Sequence, residues 1–194
     1  MSDPLLSDSF RAEWPEEKLR KAMNSEMESM KDYKVYEEVS VADWTPAQLW
    51  KVIKTRWVLT WKGEDVKARL VAKGYSQDVT DYGTYASTPL LCSLKILLLV
   101  AQMRKWEILF ADVSTAFLHA QLGEDEIIHV EPPAEYYPRD QPRVVWRLRK
   151  ALYGLKTAPK QWQQHFCQVL SELPNKGERL KADPNIYYFR RTKT

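Results

Sequence analysis

A mixed α+β fold is what this sequence predicts, on three observations. Apolar residues recur at three- and four-residue spacing from Pro15 onward and again around Trp162, the pattern of amphipathic helices. Between them lie runs rich in β-branched and aromatic residues, above all Ile53 to Trp61 and Val66 to Lys73. The two kinds of segment do not alternate strictly, and no internal repeat or low-complexity tract imposes an array, so neither a parallel βαβ sheet nor a solenoid fits.

Taken in order, the first dozen residues are polar and expected to be loose. Leu19, Ala22, Met23, Met27 and Met30 then mark one helix face, with Pro15 at the first helical position, where its missing N–H is not needed. Tyr33 to Val39 reads as extended, and a break follows at Asp43 to Pro46, where the proline biases Thr45 toward extended backbone. The clearest hairpin comes next, Ile53 to Trp61 returning through Lys62-Gly63-Glu64-Asp65 into Val66 to Lys73. Because side chains alternate along a strand, Val66, Ala68, Leu70 and Ala72 share one face, and Lys67, Arg69, Val71 and Lys73 the other.

Ser93 to Arg104 is apolar nearly all round, which predicts a helix buried under a sheet with Ser93 as its cap. Trp106 to Ala111 reads as a central strand ending at Asp112, whose carboxylate would point from the sheet edge. Thr115 to Leu118 form a short turn or helix. Ile127 to Glu131 and Val144 to Leu148 are expected strands joined by the proline-rich loop Pro132 to Pro142. A loop with Gly154 and Pro159 leads into a helix carrying Trp162, Phe166, Val169 and Leu170, and Asp183-Pro184 turns into the segment Ile186 to Phe189.

Composition narrows the function classes. With 194 residues, 44% hydrophobic and 28% charged, the chain has the make-up of an ordinary globular domain, which excludes wholesale disorder and collagen-like repeats. Its 29 Lys and Arg against 26 Asp and Glu give a net charge of +3, which permits a phosphate-bearing partner without demanding one. The two cysteines, Cys92 and Cys167, cannot build a disulfide framework, so free thiols in a reducing compartment are expected. No apolar run approaches the roughly 18 residues needed to span a bilayer, and the N-terminus lacks the pattern of a secretory signal. The expectation is an intracellular chain, cytoplasmic or nuclear, with no membrane partner.

Three constellations can carry chemistry. In Asp112-Val113-Ser114-Thr115-Ala116-Phe117 a carboxylate offers a hard oxygen ligand suited to magnesium, and an aromatic across a tight turn can wall a sugar pocket. The ordinary alternative is that Asp112 caps a turn and Phe117 is core. The second is the row Lys67, Arg69 and Lys73, which is either an anion-binding face or simply a solvated one. In the third, Leu152 to Pro159, Gly154 permits close backbone approach and Lys156 is a candidate phosphate contact, against the plain reading of a strand-to-helix connection. Weaker candidates are Trp57 and Trp61, which share a strand face and could stack on bases or be buried. His119, His129 and His165 have no ligand spacing with the cysteines, and the run Glu124-Asp125-Glu126 reads as solvated.

The order of these motifs resembles the reverse transcriptase of copia-type LTR retrotransposons. Arg56-Trp57-Val58 followed by Val66-Lys67-Ala68-Arg69-Leu70-Val71-Ala72-Lys73-Gly74-Tyr75-Ser76-Gln77 is similar to the family's fingers hairpin. Asp81-Tyr82, Thr84-Tyr85 and Ser87-Thr88-Pro89 resemble its next segment with looser spacing. Asp112 to Leu118 and the preceding helix resemble its first catalytic motif, and Leu152-Tyr153-Gly154-Leu155-Lys156 with Ala158-Pro159 and Trp162 its template-and-nucleotide loop. Asp183-Pro184 with Ile186-Tyr187 matches a further stretch, and Trp14, Ala22, Met23 and Glu26 fall at the family's entry helix. Several ordered motifs are far more specific than any one alone.

The resemblance implies a partial fingers-and-palm of a right-hand polymerase over residues 51–194, preceded by a helical arm and entry segment (14–50) and a flexible N-terminus (1–13). It implies deoxynucleotidyl transfer with two magnesium ions, using an RNA or DNA template with primer, deoxynucleoside triphosphates and the rest of a Pol polyprotein. Asp112 matches the first metal-binding aspartate, with the Val113 carbonyl beside it. Phe117 matches the aromatic that excludes a ribose 2′-hydroxyl. Arg69, with Lys67 or Lys73, matches the fingers cations on the triphosphate, and Tyr153, Gly154 and Lys156 fall near nucleotide and template. The family's second catalytic motif, a Tyr-x-Asp-Asp turn expected after Ile186 to Phe189, is absent from Arg190 to Thr194, so the expectation is a chain inactive alone as a polymerase. The competing expectations are a non-catalytic nucleic-acid-binding remnant and a degenerate reading frame whose product folds poorly.

Overall fold

Helix α1, Glu16–Asp32, lies along a two-stranded ribbon, and the reason is its row of methionines. Met23, Met27 and Met30 are buried and share a core cluster with Ala68 and Leu70 of the ribbon; each fully buried side chain of this kind contributes roughly 1.5–3 kcal/mol. These elements belong to a computed structural model that describes residues 14–77, 83–136 and 143–189. The leading residues, Asp81-Tyr82, most of the loop before residue 143 and the residues after 189 lie outside the described residues. Pro15 sits one position earlier than expected, as the residue before the first helical one.

The chain continues through β1 (Tyr36–Ser40), and after the expected break at Asp43 to Pro46 it forms a short helix that the sequence does not predict, α2 (Pro46–Trp50). Thr45 does take extended backbone, and it also caps α2: its hydroxyl accepts from the Gln48 N–H while Gln48 reaches back to the Thr45 N–H. Strands β2 (Thr55–Lys62) and β3 (Asp65–Ala72) form the expected hairpin. The pairing of Lys62 with Asp65 leaves a two-residue turn, and Gly63 at φ 64 supplies the left-handed residue the turn needs.

Then come α3 (Leu91–Arg104), α4 (Ala116–His119), β4 (His129–Val130), β5 (Val144–Leu148), α5 (Ala158–Glu172), and the small pair β6 (Glu178–Arg179) and β7 (Tyr187–Tyr188). The main sheet runs β1-β5-β4, all antiparallel. Ile53 stitches the hairpin to it, donating to the His129 carbonyl at 2.9 Å and accepting from Glu131 N–H at 2.9 Å. The outer edge of β3 meets no third strand among the described residues. Its Leu70 N–H is bonded by the Glu26 carboxylate at 3.3 Å and its Ala72 N–H by the Tyr153 carbonyl at 2.7 Å.

Several expectations fail here for identifiable reasons. The apolar helix forms as α3 but is not covered by a sheet: of its residues only Ala101 is buried. Trp106 to Ala111 forms no strand, because no described segment lies alongside to complete a ladder, and Leu109 and Phe110 are each 90% exposed. Ser93 is not the cap of α3, which starts after Leu90; the Leu90 N–H donates to the Asp183 carboxylate at 2.9 Å. The acidic run is not uniformly solvated: Glu126 is buried and accepts from Gln161 of α5 at 2.6 Å. Both cysteines are free, and no helix among the described residues is long and apolar enough to cross a membrane.

Candidate functional site

The hairpin gives one face to the core and the other outward. On the covered face Trp57, Ala68, Leu70 and Ala72 are buried. On the opposite face the register sets Arg56 across from Val71, Val58 across from Arg69 and Thr60 across from Lys67, an interval without a carboxylate. Alternation along β3 therefore separates the cations from the apolar side chains as its sequence predicts.

The loop Leu152-Tyr153-Gly154-Leu155 runs against the far end of β3, and two glycines make that possible. Gly154 has φ 85, and a Cβ there would run into the carbonyl oxygen of Ala72; one on Gly74 would run into the carbonyl oxygen of Gly154. This close approach brings Tyr153 beside Arg69, whose guanidinium carbon lies 5.7 Å from the ring centroid and which hydrogen-bonds the phenol. Phe117 of α4 meets the same ring edge-on, with centroids 5.1 Å apart. Burial raises the Tyr153 phenol above its ordinary value; the charge of Glu26 adds to this, Arg69 opposes it, and Asp112 is near enough to raise it further. Arg69, Phe117 and Tyr153, spread across the sequence, thus meet, and the charge of Asp112 reaches the same ring.

Asp112 itself is exposed, as are Val113 and Ser114. The turn behind them is strained: Thr115, a β-branched residue, sits at φ 52, and His119 on the next helix approaches the Ser114 carbonyl at 3.3 Å. Among the described residues no group of three His, Cys, Asp or Glu side chains is arranged to hold a metal ion.

The other site candidates are placed differently. Lys67 is exposed further along the same ribbon face, and Lys73, just past β3, lines a groove with Trp50 and Tyr75. Lys156 directs its ammonium at two backbone carbonyls, Tyr75 at 3.2 Å and Gln77 at 2.9 Å. Its N–H donates to the Gln77 side chain at 2.7 Å, and Gln77 also donates to Thr157 at 3.2 Å, so this lysine ties the loop to the end of the hairpin. Trp57 is buried, its indole donating to Glu135 at 3.3 Å, and Trp61 stacks on Trp14 at 4.9 Å. His119 stacks on His165 at 6.4 Å.

Two residues that carry weight here enter the sequence analysis only as matches to family stretches, with no structural role. Glu26 is a buried carboxylate on a methionine-rich helix face, and its position four residues before Met30 was the available signal. Asp183, expected in a turn and in a family stretch, is buried and accepts from Leu90 N–H at 2.9 Å and Asn185 N–H at 3.0 Å, with a further bond from Ser93. Those donors hold its carboxyl well below the usual range, at about 2.

A family model described as reverse transcriptase (RNA-dependent DNA polymerase) matches residues 33–190. The Retrovirus-related Pol polyprotein from transposon RE1 of Arabidopsis thaliana is 36% identical over 155 residues, covering 76% of this chain and 10% of that protein. The corresponding polyprotein from transposon RE2 of the same plant is 42% identical over 119 residues, 57% of this chain and 8% of its own length. That from transposon TNT 1-94 of Nicotiana tabacum is 32% identical over 180 residues, 89% of this chain and 13% of its own. The chain therefore matches between 8% and 13% of the length of these relatives. No solved structure matches it.

Proposed function

This chain belongs to the reverse transcriptase (RNA-dependent DNA polymerase) family of copia-type retrotransposons, and we propose that it is a fingers-and-palm portion of a Pol polyprotein whose Arg69, Asp112, Phe117 and Tyr153 receive a deoxynucleoside triphosphate beside a primed template. The observation that carries this reading is the meeting of Arg69 and Phe117 at the Tyr153 ring, with Asp112 close enough for its charge to act on the phenol. Arg69 is a fixed cation suited to a triphosphate oxygen, since its planar fork offers several donors at once. Phe117 presents bulk where a ribose 2′-hydroxyl would need room, which favours deoxynucleotides.

Magnesium supplies the charge neutralisation of nucleotidyl transfer when two ions are bound. The described residues do not fit a pair of such ions: Asp112 offers one exposed carboxylate, and one carboxylate does not hold two divalent cations against their repulsion and hydration. The chain by itself is proposed to bind nucleotide without extending a primer. Incubation of the purified chain with primed template, deoxynucleoside triphosphates and magnesium is expected to give no elongation; template-dependent incorporation would overturn the proposal. In a titration with a labelled deoxynucleoside triphosphate, Arg69→Ala is expected to weaken binding roughly tenfold, the scale of one charge-assisted contact. The carboxylate-free interval of the ribbon face favours a second reading, a nucleic-acid-binding remnant without nucleotide chemistry. That reading gains if Arg69→Ala weakens primed-template binding and leaves nucleotide binding unchanged.

A further inference from the structure

Two of the chain's three histidines face each other across neighbouring helices. His119 ends α4 and His165 lies in the middle of α5; their rings are stacked, with centroids 6.4 Å apart and planes within 18°. Imidazole is the side chain whose charge changes between about pH 5 and 8. His119 Nε2 lies 3.3 Å from the Ser114 carbonyl, which can only accept, so Nε2 carries the proton and a second proton leaves that bond intact. Tyr33 meets His119 edge-on at 4.6 Å, and the Trp162 ring lies 6.0 Å from His165.

The charged groups around the pair favour its neutral form. Lys150, just beyond β5, acts on His165 and holds its ammonium 5.5 Å from the Tyr33 ring, and Lys34 acts on Lys150 in turn. Glu172, further along α5, opposes them. Burial, then the charges of His119 and Lys150, hold the His165 imidazole below its ordinary 6.5. Two imidazolium charges at the stacking distance lie within the screening length of about 8 Å at physiological salt, so they repel. What they push on is weakly held. α4 is a single turn, too short to be stable by itself, and its leading residue Thr115 is left-handed at φ 52 with no side-chain cap. It keeps its place by packing on α5 and by the Ala120 carbonyl, which accepts from the Ala151 N–H at 2.8 Å. Phe117, on the same turn, is the ring that meets Tyr153 at 5.1 Å.

We propose that the His119–His165 pair is an acid-sensitive latch: with no more than one proton gained it keeps α4 on α5, and with both imidazoles charged α4 turns about Ala120 and carries Phe117 off the Tyr153 ring. The sign follows from His165: a lowered pKa favours the latched form above pH 6.5, and that advantage is lost as pH falls below it. Phe117 is a wall of the seat proposed for a deoxynucleotide, so on that reading acid opens the wall.

The test reads the Phe117–Tyr153 contact itself. 4-Fluorophenylalanine is incorporated at Phe117 of the full chain, and its fluorine NMR signal is followed from about pH 8 to about pH 5 beside the signals of carbon-13-labelled imidazoles. The expected result is a reversible step in the fluorine shift with a midpoint below 6.5, tracking the second imidazole of the pair to titrate. His119→Gln and His165→Gln should each abolish the step, since neither leaves two imidazoles to charge. Lys150→Gln relieves the charge on His165 in the latched form and should move the step to lower pH. Wild type and Lys150→Gln decide the question even where a histidine variant does not fold. His129, beside Trp44, and Glu26, whose charge reaches Tyr153, also titrate on the acid side, and the step should survive His129→Gln and Glu26→Gln. A fluorine signal that stays in place while both imidazoles of the pair titrate would overturn the proposal. So would a step that keeps its midpoint in His165→Gln and in Lys150→Gln. The readout is a contact inside the protein, whereas Arg69→Ala read with a nucleoside triphosphate tests the functional reading, so the failure of one is seen apart from the failure of the other.

Discussion

Glu26 is a carboxylate placed beneath a strand edge, where the Leu70 N–H would otherwise lack a partner. Burial raises its pKa above 4.5, while the Leu70 hydrogen bond and the charges of Arg69 and Lys67 pull the other way. A carboxyl whose folded-state pKa exceeds its unfolded one contributes most in its protonated form, so its contribution is fully present below pH 4.5 and is lost as pH rises through the raised value. Glu26→Gln keeps the acceptor without the charge and should remove that downward slope from urea denaturation curves collected at stepped pH; an unchanged slope would contradict the assignment. Glu26→Ala should cost about 1–3 kcal/mol, because it leaves a buried N–H unpaired. Asp183 has the opposite sign. Its pKa is lowered to about 2 from 3.8, so its stabilising contribution is present above pH 3.8 and is lost as pH falls through about 2. Hydrogen exchange of the Leu90 amide is expected to accelerate over that acid range in the wild type and at all pH values in Asp183→Ala. Neither role was legible in the sequence, because each carboxylate acts on a backbone group 44 or 93 positions away.

At the scale of elements, local signals were read well and partnership poorly. The hairpin follows from β-branched content and a Gly-containing turn, and Val144 to Leu148 appears as β5 with the same ends, since both depend on short-range chemistry. The all-round apolar pattern of α3 told correctly of a helix and wrongly of its surroundings, because periodicity reports which faces are apolar and not what covers them. The same limit applies to Trp106 to Ala111, where strand propensity without a neighbour gives extended chain and no ladder. Gly154 was read as a position of close approach, and the loop does pass backbone against backbone there. Gly154→Ala combines left-handed strain at φ 85 with a collision against Ala72 and should destabilise by about 3 kcal/mol or more. Gly63→Ala, at φ 64 in open space, should cost only about 1–2 kcal/mol. Equal losses in thermal denaturation would show that the loop does not dock on the hairpin as described.

The whole molecule divides into a packed part and an uncovered one. α1, the hairpin, the β1-β5-β4 sheet and the loop before α5 share one core cluster, whereas Leu94, Ile96, Leu98, Leu99, Met103 and Trp106 lie exposed on and after α3. A continuous apolar surface of this kind favours association and dye binding. The α3 amides are accordingly expected to exchange with solvent faster than those of α1, and the chain to bind an apolar fluorescent dye in its native state; slow exchange across α3 in a dispersed monomer would contradict that division. The candidate site lies where the two parts meet: Arg69 and Tyr153 belong to the packed side, and Asp112 follows the exposed segment. The sequence order of its motifs pointed to the residues, and only the folded chain brings them together. Photo-crosslinking with an azido-deoxyadenosine triphosphate, followed by peptide mapping, tests that convergence most directly. Label recovered on the separate peptides that carry Arg69, Phe117 and Tyr153 is the predicted result, and label confined to a region remote from all three would contradict it.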